Sequence, residues 1–142
     1  MKPAVIAVIA ATLSVSQPAV ADEEPAPRAP EAPIGVTSLI GEWNVALFFS
    51  PDAPPSETTL VISNVEEGVL TGTFYDSPFL DGRALARDGE VRFTVLTEDG
   101  SGQYATAGRL VGETITGTSL SVGRGFIMAW NASRAGDSND ND

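Results

Sequence analysis

A chain of 142 residues is the size of one domain. It contains no histidine and no cysteine, and 19 carboxylates against 8 basic side chains give it a formal charge of −11. That composition excludes Ser-His-Asp and Cys-His nucleophile systems and histidine-ligated zinc, and its sign sets the chain against nucleic acid or anionic membrane as partners.

The chain opens Met1-Lys2, runs apolar from Ala4 to Val15 and reaches Ala19-Val20-Ala21 before Asp22. A basic start, a short apolar run and an A-x-A site predict a secretory signal peptide over residues 1–21, cleaved after Ala21. The run falls short of the roughly 20 residues that span a bilayer, so no membrane insertion is expected after cleavage. No cysteine follows, so no lipid anchor is expected either. The expected location is periplasmic or extracellular. Loss of Lys2 with that segment leaves 7 arginines against 19 carboxylates, a formal charge of −12. Export would permit disulfides, and with none available stability must come from packing.

Residues 22–36 are acidic and rich in Pro and Ala. X-Pro repeats disfavour helix and cannot feed a sheet ladder, so this stretch predicts an exposed, semi-extended linker. The domain follows over residues 37–134. It reads as eight strand-like runs at about 39–49, 57–64, 69–75, 82–87, 90–97, 102–110, 113–121 and 125–133. Short runs at regular spacing, divided by turn residues, predict an all-β sandwich or barrel. Asp88-Gly89 is a hairpin signal, and Asp99-Gly100-Ser101-Gly102, Gly112 and Gly123-Arg124-Gly125 mark further turns. No stretch has helical length and periodicity. The polar, acidic residues 135–142 predict a disordered tail.

Two runs echo each other. Leu70-Thr71-Gly72-Thr73-Phe74 returns as Ile115-Thr116-Gly117-Thr118-Ser119, the glycines 45 positions apart. A glycine inside an alternating strand marks a bend or a close backbone approach, and two such bends predict a sheet that curls until it closes. Alternation assigns inward faces: Trp43, Val45, Leu47 and Phe49; Leu60 and Ile62; Leu70 and Phe74; Val91, Phe93 and Val95; Tyr104 and Leu110; Phe126, Met128 and Trp130. Gly72, Gly108 and Gly117 share the inward parity, and mixing small with bulky inward residues fits the taper of a closed sheet. The reading is one eight-stranded antiparallel meander barrel, wide enough to be filled by side chains or to hold one small ligand.

Gly41-Glu42-Trp43 opens the first run and Arg134 closes the last, and in a meander barrel those two are neighbours. With the G-x-W start and late arginine, the chain resembles the calycin group of lipocalins, fatty-acid-binding proteins and avidins. Leu70-Thr71-Gly72-Thr73 followed by an aromatic, with Trp130-Asn131-Ala132-Ser133-Arg134, is similar to avidin. The likeness stops at the ligand. Phe74 stands where biotin binders carry a hydrogen-bonding tyrosine, and Val45 where they carry an asparagine, and only Trp43 and Trp130 supply indoles. Over residues 40–134 the order of motifs also resembles a small β domain found beside secreted amidohydrolases. That likeness implies an accessory architecture in an exported setting, without the catalytic histidines.

Other constellations are weaker. Asp76, Asp81 and Asp88 surround the fourth run and Glu66-Glu67 precede the central repeat; a paired-carboxylate hydrolase would need two of them across one cleft. Asp137, Asn139 and Asn141 alternate as calcium ligands do, without the glycine and terminal glutamate of an EF-hand. Thr71, Thr73, Thr114, Thr116 and Thr118 form outward rows, as β propensity alone would place them. Tyr75 and Leu120, also outward, would mark an oligomer contact if they adjoin. Asn131-Ala132-Ser133 matches a glycosylation sequon late in a strand.

The expected function is that of a non-enzymatic exported module with no cofactor and no metal. It would bind a small apolar molecule in the barrel mouth, with Trp43, Phe74, Tyr104, Phe126 and Trp130 as walls and Tyr104, Thr106 or Ser119 as polar contacts. Gly41, Trp43 and Arg134 would close the barrel structurally. The alternative is an interaction or inhibitor module with a filled barrel, acting on another exported protein.

Overall fold

A computed structural model describes residues 34–136. The predicted signal peptide, most of the predicted linker and Asp137, Asn139 and Asn141 lie outside the described residues. A 3₁₀ turn, η1 (Val36–Leu39), precedes β1 (Gly41–Phe48), β2 (Ser56–Glu66), β3 (Val69–Phe74), β4 (Ser77–Pro78), β5 (Asp81–Arg87), β6 (Glu90–Asp99), β7 (Gly102–Val111), β8 (Thr114–Ser121) and β9 (Phe126–Arg134). Among the described residues η1 is the only helical piece. No described helix is long and apolar enough to cross a membrane.

Every pairing is antiparallel. The sheet order β2-β1-β9-β8-β7-β6-β5-β3, with β2 also paired to β3, closes it into an eight-stranded barrel. The first and last long strands meet along six residue pairs, from Trp43 opposite Arg134 to Phe48 opposite Ala129. The weakest joint lies elsewhere. Between β3 and β5 the ladder holds one pair, Val69 with Arg83. The two-residue β4 folds back on β3 and fills the rest of that gap: Phe79 N–H donates to Gly72 O at 2.9 Å and Leu80 N–H to Leu96 O at 2.7 Å. That short strand was invisible to alternation, because two residues carry no period.

The eight predicted runs match the eight long strands, with two adjustments at the start. Residues 36–39 form the 3₁₀ turn rather than strand, and Phe49 lies beyond β1, 52% exposed. Ile34 and Val36, assigned by sequence to the linker, pack against the core.

The two echoed glycines act differently. Opposite Gly72, β2 bulges between Ile62 and Asn64, and Ser63 Oγ donates to Thr71 O at 3.0 Å. A Cβ on Gly72 would collide with the Val61 carbonyl, so the bend there requires glycine. Around Gly117 the register runs on without a shift. A Cβ there would overlap the Trp130 ring, as one on Gly108 would overlap Phe93. These two glycines are seats for aromatic rings rather than bends.

The interior is therefore layered. Phe74 and Phe93 flank Trp130, with ring centroids 5.5 and 6.4 Å from the indole and tilts of 43° and 48°, a favourable aromatic geometry. On the side of the first strand's start lie Trp43, Ile62, Leu70, Val91, Leu110 and Ile115, all buried. Burial of each large side chain contributes roughly 1.5–3 kcal/mol.

Candidate functional site

The two ends of the barrel are built differently. At one end η1 caps the interior with Leu39, which is completely buried. Trp43 lies beside it, also completely buried, and its Nε1–H donates to Leu39 O at 2.9 Å. Arg134 locks the cap. Its guanidinium lies 4.3 Å from the Trp43 ring centroid, donates to Ile40 O at 2.9 Å and also donates to Ser38 O. Gly41 permits this, with φ at +136° and the Arg134 Nη1 only 2.7 Å from where a Cβ would stand. Gly41, Trp43 and Arg134 thus meet at one point.

The other end holds a cavity of about 310 Å³. Its walls are largely aromatic and aliphatic: Phe49, Phe74, Tyr75, Tyr104, Phe126, Leu47 and Met128. Strand direction puts them there. β6 ends at this mouth, β7 begins at it, β8 ends at it and β9 begins at it. Polar atoms enter from Thr97 and Ser119, both buried. Ser119 Oγ and Thr106 Oγ1 share a buried hydrogen bond of 2.8 Å across the β7–β8 pair. Asp99 and Arg124 complete the rim. Asp99 accepts from Ser101 N–H at 2.7 Å, holding the β6–β7 turn, and the Arg124 guanidinium lies 4.9 Å from the Phe126 ring centroid.

Of the residues singled out in the sequence, Phe74, Tyr104, Ser119 and Phe126 line this cavity together. Thr106 stands behind Ser119, and Trp130 lies beneath, against Phe74. The Trp130 Nε1–H is the one buried side-chain polar atom without a partner among the described residues. Trp43 must be corrected as a cavity wall. It lies four residues before Leu47 on β1, roughly 13 Å down the strand, sealed under the cap.

Sequence reasoning missed Tyr75, Thr97, Asp99, Ser101 and Arg124 at the mouth. Thr97 continues the buried parity of Val91, Phe93 and Val95 on β6, a signal that could have found it, and Asp99 ends that strand; Tyr75, Ser101 and Arg124 are turn residues, which have no alternation to read. Tyr75 and Asp76 adopt φ of +53° and +62°, a left-handed pair that aspartate tolerates and a bulky tyrosine seldom adopts. That conformation turns Tyr75 toward the mouth. Tyr75 does not adjoin Leu120 either: β3 and β8 are separated by β5, β6 and β7.

Asp81 and Asp88 do not share a cleft. Asp81 and Asp88 flank β5 at its two ends, roughly 20 Å apart along seven residues. Asp81 pairs with Arg83 at 2.8 Å and Asp88 with Arg87 at 3.1 Å, all exposed. No cluster of three potential metal ligands exists among the described residues.

Comparison with known proteins returns no match: no family model, no curated protein and no solved structure is similar to this chain.

Proposed function

We propose that this protein is an exported, non-enzymatic binding module that holds a small apolar molecule in the open end of its barrel. The observation that carries the reading is the cavity of about 310 Å³ at one end of an otherwise filled interior. Its size falls at the lower edge of small-molecule sites, about 300–1,000 Å³, and its few polar groups among apolar walls follow their pattern. The buried hydroxyls of Thr97 and Ser119 would orient the ligand, and the aromatic walls would supply most of the affinity. The export part of the proposal rests on the sequence of residues 1–21, and the accessory, non-catalytic part on the resemblance to the β domain beside secreted amidohydrolases.

Calorimetry with octanol as the probe tests the reading, alongside native mass spectrometry of the protein from its own host. Octanol should bind the native protein and fail to bind Ser119→Phe, whose ring would occupy the cavity. Absence of both octanol binding and a carried ligand would defeat the proposal.

A second reading has its own observation. On the outer surface Leu96, Ala105, Leu120 and Ile127 stand in register across β6, β7, β8 and β9, with Leu120 43% and Ile127 64% exposed. Such a row favours contact with another exported protein. Ile127→Glu would abolish that contact and leave octanol binding intact.

A further inference from the structure

In a chain of formal charge −11, arginines find acids or carbonyls easily. Arg83 pairs with Asp81, Arg87 with Asp88, and Arg92 and Arg109 both with Glu90. Arg134 donates to the carbonyls of the cap. Among the described residues Arg124 is the exception: it has no carboxylate or carbonyl partner. It stands in the β8–β9 turn, its guanidinium against the Phe126 ring at 4.9 Å, and both residues line the cavity mouth.

We propose that the ligand is an apolar monocarboxylate, its body in the cavity and its carboxylate on Arg124. This rests on the cavity reading above and names the class of molecule for that same site. A guanidinium offers a planar fork that matches a carboxylate with two parallel hydrogen bonds. Resting on Phe126 restricts where that fork points, so less freedom is lost when the anion arrives. Asp99, the one acid on the rim, already accepts the Ser101 amide at the tip of its turn, and no ion pair joins it to Arg124. The remaining acids repel an anion at long range, but at physiological salt that repulsion is screened beyond about 8 Å. The local contact with Arg124 therefore decides the preference.

Three probes of equal chain length separate the possibilities: octanoate, octanol and octylammonium, titrated by calorimetry into the native protein and into Arg124→Gln. Octanoate should bind the native protein about tenfold more tightly than octanol, the scale of one charge-assisted contact, and octylammonium least tightly. Within Arg124→Gln, octanoate and octanol should bind equally, the ratio rather than either affinity being read, while the urea midpoint stays as it was, since Arg124 is exposed. Equal binding of octanoate and octanol to the native protein, tighter binding of octylammonium, or an advantage that survives Arg124→Gln would each overturn the inference with the cavity reading standing. Failure of all three probes to bind would overturn both.

Discussion

The two ends of this barrel carry similar materials and use them in opposite ways. Each pairs an arginine with an aromatic ring: Arg134 with Trp43 at 4.3 Å, and Arg124 with Phe126 at 4.9 Å. At the capped end the guanidinium is consumed by carbonyls, the ring is fully buried and a 3₁₀ turn fills the opening. At the open end the guanidinium has no polar partner, the ring is half-buried and the opening leads to a cavity. The same pair is a lock where a segment lies across it and a rim where none does. One barrel therefore has a filled half and a half that holds a cavity.

The sharpest way to break this comparison is to truncate the two rings. Trp43→Ala empties a sealed site and should cost about 3–5 kcal/mol, a large share of a small domain's stability. Phe126→Ala should cost about 1 kcal/mol or less, because that ring is already partly in water, and should instead weaken octanol binding. Urea unfolding of both variants decides it. Equal losses would mean that the two ends are not mechanically distinct.

Next in size are the ring seats between the ends. Gly117→Ala would drive a methyl group into the Trp130 ring and to within 2.5 Å of the Ala107 carbonyl, and neither backbone nor indole yields easily. The expected loss is about 1–3 kcal/mol, the range for overpacking. Gly108→Ala meets only the Phe93 ring and should lose less. If the order were reversed, the claim that Trp130 is fixed as the cavity floor would fail.

Arg134→Lys sharpens the lock. It keeps the charge and loses the fork that reaches Ile40 O and Ser38 O together, so about 1–2 kcal/mol of stability should be lost, read as a lower urea midpoint. Arg124→Lys should leave that midpoint unmoved.

How much of this was legible in the sequence follows from what each residue answers to. The eight long strands could be read because alternation is a two-residue signal repeated over six to eleven residues. The Trp43–Arg134 lock was legible for the same reason, since a meander makes its first and last strands neighbours. β4 is too short to show a period, and the mouth residues Tyr75 and Arg124 sit in turns, where position depends on φ values that the sequence does not spell out. Gly72 and Gly117 show the limit most clearly. Nearly identical local sequences gave identical expectations, and only the neighbour across the sheet, a bulge in one case and an indole in the other, separates them.

The smallest expected effect lies on the outer wall, where β6 begins at the end opposite the cavity. Glu90 accepts from Arg92 Nη2 at 2.7 Å, and from Arg109 on the adjoining strand. The hydrogen bond from Arg92, then that from Arg109, holds the Glu90 carboxyl below its ordinary range. A carboxylate with a lowered folded pKa contributes stability that is complete above the unfolded value, about 4.3. That contribution is lost as pH falls through the lower folded value. Native protein should therefore lose its stability advantage over Glu90→Gln only below about pH 4.3, with the gap between the two constant from there to neutrality. Because the arginines are exposed, added salt should shrink the difference. Urea midpoints of the two proteins across that pH range check it, and a difference that first opens near neutrality would assign the stabilisation to some other group.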